Sequence, residues 1–191
     1  MNELTSVWNS LEIAKLTVDI VTTLLLGAIF WLIDNAVRRA ESARWRNQKL
    51  VEKRLNVYDD TAPQLNDLLC YYTYVGNWQG FTPVDIIHLK RELDKKIHVA
   101  APLFSKEFLE KYSKLMVLCF ETFVGVGKDA RLRTKTERRI AGTPGGWKEE
   151  YNERFSAIED CPPREEIKAA YNELMACFAA ELEIGKPIAT N

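Results

Sequence analysis

Two sets of residues in this 191-residue chain combine types and spacing that could do chemistry. The first lies near the N-terminus. Lys15, Asp19, Thr23 and Gly27 follow one another at intervals of four, so on a helix they share one side, with Asp34 returning near the same line. Thr23 and Gly27 make a small-xxx-small pair, which lets two helices approach closely. A carboxylate such as Asp19 among apolar neighbours demands a partner, a route to water or a helix interface. The second set is the basic run 128–139. There Lys128, Arg131, Arg133, Lys135, Arg138 and Arg139 are opposed only by Asp129 and Glu137. That density of cations suits phosphate, on nucleic acid or lipid, or a protein partner. The run lacks interleaved aromatics that would stack bases. Its plain alternative is a solvated loop resting near the acidic stretch 148–184.

Signatures of catalysis are missing. No G-x-S-x-G, H-E-x-x-H, kinase set or dinucleotide fingerprint occurs, and "GVGK" at 125–128 is followed by Asp129 instead of the Ser or Thr a phosphate loop needs. The four cysteines, Cys70, Cys119, Cys161 and Cys177, form no C-x-x-C pair, and His88 and His98 stand far from all of them in sequence. Neither a metal nor a cofactor is expected, and the chain does not read as an enzyme. Cys119 and Cys177 sit among apolar residues and read as small buried hydrophobes, reduced on a cytoplasmic side.

The elements that must position these residues begin with residues 16–33. Across those eighteen positions the only charge is Asp19. At 1.5 Å per residue the helix is about 27 Å long, close to the hydrocarbon thickness of a bilayer. Trp8 and Trp31 lie near its two ends, where amphipathic rings favour the headgroup layer. A cleaved signal needs a basic start and small residues at the cut. Here Glu3 and Glu12 precede a single base, Lys15, and Phe30-Trp31-Leu32-Ile33 closes the apolar run. Arg38, Arg39, Arg44, Arg46, Lys49, Lys53 and Arg54 then follow, against Glu41 and Glu52. The positive-inside bias places the N-terminus outside and the rest of the chain in the cytoplasm.

Beyond the anchor the pattern is helical. The first helix continues through Trp45, Leu50 and Leu55 toward Tyr58, and Pro63 is expected to kink or restart it. Thr82, Pro83 and Asp85 mark a helix start, with Ile86, Leu89, Leu93 and Ile97 as its inner face. Ser105 opens another helix, whose apolar face runs through Phe108, Leu109, Tyr112, Leu115, Met116, Cys119, Phe120 and Phe123. Residues 115–126 are apolar but hold Glu121 and number only twelve, so they read as core and not as a second span. Residues 125–146 read as one long basic loop, and a helix is expected over 147–158. The last helix starts near Pro163, with Glu165 and Glu166 in its first turn and Ile167, Tyr171, Leu174, Met175 and Phe178 inward.

The expected architecture is therefore all-α, an N-terminal single-pass transmembrane helix followed by a cytoplasmic helical bundle. Its parts are an extracytoplasmic N-terminus (1–15), the span (16–33), a basic juxtamembrane helix (34–62), the helical domain (63–184) and a flexible tail (185–191). The anchor "LTVDIVTTLLLGAIFWLI", the flank "VRRAESARWR" and the stretch "LNDLLCYYTYVGNWQGFTPVDIIHLKRELDKK" carry a resemblance. In this layout the chain resembles the small membrane proteins encoded beside retron reverse transcriptases in bacterial antiviral defence. The resemblance implies an inner-membrane effector held inactive by a reverse transcriptase with its RNA–DNA product and released on infection. Lipid bilayer is then the first partner and further copies of the chain the second. The alternative is a membrane-tethered adaptor or sensor whose cytoplasmic domain binds another protein.

Overall fold

The computed structural model describes residues 10–143 and 145–182. The fold is mostly helical, and two compact units divide the chain after Lys49. Residues 1–9 of the expected extracytoplasmic segment, Trp8 among them, and the expected tail 185–191 lie outside the described residues.

Helix α1 spans Ser10–Thr73. Within the first unit it carries the apolar segment, whose side chains are exposed: Leu24 is 68% exposed, Phe30 77% and Trp31 65%. Among the described residues this is the one helix long and apolar enough to cross a membrane. The basic flank is exposed as well, with Asp34 and Arg38 joined one turn apart at 2.8 Å.

The second unit starts within α1. The expectation that Pro63 kinks or restarts the helix is corrected in one respect: Pro63 sits inside α1, and the helix does not restart. Proline inside a helix costs about 3 kcal/mol through the missing N–H and the ring's clash with the preceding turn. Burial offsets this, because the turns after Pro63 put Leu65, Leu68, Tyr71 and Tyr72 into the core, each 1% exposed or less. At roughly 1.5–3 kcal/mol per large apolar side chain, four such residues outweigh one broken turn.

Helix α2 (Pro83–Ala100) begins at the Thr82–Asp85 capping box, in which the Thr82 amide donates to Asp85 Oδ2 at 2.8 Å and the Asp85 amide to Thr82 Oγ1 at 3.2 Å. Ile86, Ile87, Leu93 and Ile97 are buried along it, as are Pro83 and Ala100 near its two ends, with Leu89 partly covered. Helix α3 (Lys106–Cys119) is capped by Ser105, whose hydroxyl accepts from the Phe108 amide. Helix α5 (Arg164–Glu181) packs along α3. Phe104, Phe108 and Phe178 meet there, with ring centroids 4.5 to 5.4 Å apart, and Tyr58 of α1 closes on Phe178 at 5.1 Å.

Three expectations change between α3 and α5. The apolar face of α3 stops at Cys119, and the chain turns extended as β1 (Phe120–Glu121), which pairs antiparallel with β2 (Arg131–Leu132). Phe123 therefore leaves the core and is 77% exposed. Residues 125–146 are not one loop, since they hold β2 and a short helix α4 (Glu137–Gly142). The helix expected over 147–158 is a 3-10 turn at Glu149–Arg154, followed by another at Ile158–Asp160. In the first case Leu132 explains the change: it is fully buried, pairs with Phe120 and bridges to Phe155, anchoring the segment to the core. Within residues 115–126, Leu115, Met116, Cys119 and Phe120 are buried inside the domain, whereas Val117, Phe123 and Val126 are exposed.

Arg54 fastens the C-terminal end of α5. Its guanidinium donates to the Leu103 carbonyl (2.6 Å) and the Glu181 carbonyl (2.7 Å), pairs with the Glu181 carboxylate (2.9 Å) and lies over the Phe104 ring. A cation at a helix C-terminus also meets the negative end of the macrodipole. Both side chains are largely buried, 18% and 10% exposed. Arg54→Ala leaves the Glu181 carboxylate with the Ser105 amide (2.9 Å) but no cation, so a loss of about 3 kcal/mol is expected in chemical denaturation. A change within about 0.5 kcal/mol, as at an ordinary surface position, would show that the pair does not hold the helix end.

Candidate functional site

The N-terminal set keeps its helical alignment. Lys15, Asp19, Thr23 and Gly27 all fall on the exposed helix of the first unit. Thr23 turns its hydroxyl inward and donates to the Asp19 carbonyl at 2.8 Å, as Thr22 does to Val18. Among the described residues no ion pair joins Lys15 to Asp19, so those two charges are what the seam offers a neighbour. A Cβ added at Gly27 would meet nothing within 4 Å, so the chain's own fold does not require that glycine.

The basic run is split by the fold into three environments. Lys128 and Arg131 line a hollow with Asp129, Glu153 and Arg154. There Asp129 takes Arg91 on one carboxylate oxygen and Arg154 on the other, at 3.0 Å for the latter. In this hollow Asp129 and Glu153 oppose the three cations of the lining. Arg133 and Lys135 instead line a cavity of about 460 Å³ with Tyr72, Tyr74, Thr134, Cys161, Pro162, Pro163, Arg164, Glu165 and Ile167. Arg138 and Arg139 lie on α4, and adjacent positions have opposite fates: Arg138 is exposed, whereas Arg139 is 1% exposed.

Tyr74 organises this second environment. It follows the last turn of α1 with φ of 60°, a left-handed conformation that glycine usually takes at a helix end. The Val75 amide reaches back to the Cys70 carbonyl at 3.2 Å and closes the turn. The cost of the conformation is repaid by the ring. Arg139 lies 4.6 Å from its centroid, Arg164 4.7 Å and Arg138 5.6 Å, while Trp78 packs edge-on at 5.1 Å. Trp78 also presses on Gly142 so closely that an added Cβ would fall 2.7 Å from the indole.

Arg139 is the least ordinary group of the cluster. Its guanidinium stacks 3.6 Å from the Tyr71 centroid and donates from one terminal nitrogen to the Tyr71 carbonyl (2.8 Å) and to Thr134 Oγ1 (3.0 Å). Nε and the other terminal nitrogen are buried and have no hydrogen-bond partner among the described residues, and neither has Arg133 Nε. Burial pushes the Tyr71 phenol up to about 12, against the lowering effect of Arg139. Burial also raises the Cys161 thiol above its ordinary range, which keeps it protonated and a poor nucleophile. Nothing in the cavity pairs a nucleophile with a base.

No protein-family model, curated protein or solved structure matches the chain. Arg164 and Tyr74 are site residues that the basic run alone does not point to. A signal for Arg164 exists in the sequence: it places a cation at the first position of a helix, where the macrodipole favours an acid. His88 and His98 are both exposed and neither lines the cavity, His98 contacting the Asp94 carbonyl through Nδ1 at 2.7 Å.

Proposed function

We propose that the chain is a single-pass bacterial inner-membrane protein of antiviral defence, an effector that perturbs the membrane on infection. The N-terminus lies outside, residues 16–33 cross the bilayer and the helical domain occupies the cytoplasm. One observation carries the membrane assignment: the apolar segment is exposed on every side. The core helix of a soluble domain would have its Leu24, Phe30 and Trp31 covered. A removable signal is disfavoured because α1 continues past the basic flank into the turns that bear Leu65 and Tyr72. The effector reading draws on the seam, where Asp19 and Gly27 would be costly or idle in a lone anchor and are useful in an assembly of several copies. On this reading the cytoplasmic partner that restrains the protein is a reverse transcriptase with its RNA–DNA product.

A membrane-tethered adaptor or sensor is the second reading, favoured by the basic cavity in a domain with its own core. Changing Asp19 and Gly27 together to leucine separates the two. An effector keeps its place in the membrane fraction but no longer depolarises cells or blocks phage. An adaptor, which needs only apolarity from its anchor, works as before. Unchanged depolarisation in the double variant contradicts the effector reading.

A further inference from the structure

We propose that the cavity between residues 133–135 and the start of α5 binds a small soluble compound through its phosphate group. Arg133, Lys135 and Arg164 converge on a cavity of about 460 Å³, a size ordinary for small-ligand sites. Among the described residues none of the three has a carboxylate within ion-pair distance, and Glu165 is the single acid in the lining. Three cations against one acid leave an excess of like charge that repels itself, and a bound dianion reverses the sign of that energy. The start of α5 adds to the same field. No side chain caps it, and among the described residues the Arg164 and Glu165 amides have no acceptor, so they can donate to an oxyanion.

A second observation points the same way. Arg133 has a buried Nε without a partner and is part of the lining. Arg139, buried with two unpartnered nitrogens, touches Thr134, Tyr72 and Tyr74 of the lining from outside it. A desolvated guanidinium without a carboxylate is costly, and an anion beyond Thr134 lowers that cost at short range. The lining also decides which part of a ligand is recognised. Tyr74 is already covered by three arginines and Trp78, and Tyr72 packs against Tyr71 and Phe120. No aromatic face is left for a base, so the phosphate is what is read. Exposed Glu159 and Asp160 directly precede Cys161 of the lining, which opposes an extended polyanion. None of these residues precedes position 50, so the inference stands or falls apart from the membrane reading.

The test is isothermal titration of the full chain in detergent, at constant ionic strength, with inorganic phosphate, inorganic pyrophosphate and ATP as separate probes. Saturable binding of at least one probe is expected, weakened roughly tenfold or more by Arg133→Gln with Arg164→Gln, each of which removes a charge-assisted hydrogen bond. Lys128→Gln, which lies in the other hollow and not in this cavity, leaves affinity unchanged. Thermal melts accompany each variant; if the double variant melts early, Lys135→Gln, at an exposed position, decides in its place. ATP bound no better than pyrophosphate supports recognition through phosphate alone. The proposal is overturned if no probe saturates, if Lys128→Gln weakens binding as much as the cavity variants, or if a single-stranded oligonucleotide binds in preference to all three probes.

Discussion

Replacing Leu25 and Ile29 together with arginine is expected to abolish membrane integration while leaving the helical domain folded. Each arginine near the middle of a span costs about 2.5–3.5 kcal/mol on insertion scales, and each lost leucine or isoleucine removes a further 0.3–0.6 kcal/mol or so. The pair costs roughly 6–8 kcal/mol, four or more decades in the insertion equilibrium. Both positions are more than half exposed in the fold, so no protein contact is lost. Fractionation should move the variant from the membrane pellet to the soluble or aggregated fraction. Circular dichroism should still show a cooperative melt from the second unit. If the segment were a core helix, the same change would instead destroy that melt, and the two explanations thus separate in one sample.

Phe178→Ala is expected to be the most damaging single change in the domain. The side chain is fully buried, and the rings of Tyr58, Phe104 and Phe108 surround it at 4.7 to 5.4 Å. Deleting a buried phenylalanine costs about 3–5 kcal/mol through lost transfer energy and the cavity left behind. That is a large part of the roughly 5–15 kcal/mol that holds a domain together, and the melting temperature should fall on the order of 10 °C or more. Phe123→Ala is the matched control. Phe123 is 77% exposed, and its truncation should stay within about 0.5 kcal/mol. Equal effects at the two positions would mean that the α3–α5 packing is not as described.

The contrast between these phenylalanines shows what the sequence could and could not disclose. Helix starts with a local chemical mechanism were legible: Thr82 with Asp85, and Ser105, cap as their spacing predicts. So was the apolar run at 16–33, whose length and purity need no tertiary information. Phe123 continued the helical period of α3 on paper, but the chain leaves the helix at Cys119 to pair Phe120 with Leu132. Strands of two residues give no alternation to detect. Pro63 was misleading for the opposite reason. Its local cost is real, yet residues that bury later in the same helix outweigh it, and that balance is tertiary.

The cavity was half legible. A cluster of cations at 128–139 can be seen in any sequence, but its partition cannot. Asp129 at one end is taken up by Arg91 from α2 and Arg154 from the 3-10 turn, cations that lie outside the run. Arg139 is buried because Tyr71 and Tyr74, more than sixty positions earlier, supply ring faces for it. Neighbouring Arg138 stays exposed. Arg164 joins the site through the packing of α5 and belongs to no basic run. Periodicity reports which face of an element is apolar; it is silent on which distant side chains meet a charge.

The proposed membrane function rests on residues 16–33 crossing the bilayer with the domain inside the cell. Inside-out inner-membrane vesicles, washed in alkaline carbonate and then treated with protease, test this most directly. A single-pass anchor predicts that the wash releases nothing, that protease then digests the domain, and that a short fragment carrying the apolar segment stays with the lipid. Release of the intact chain by the wash, or a domain shielded from protease inside the vesicles, would contradict it.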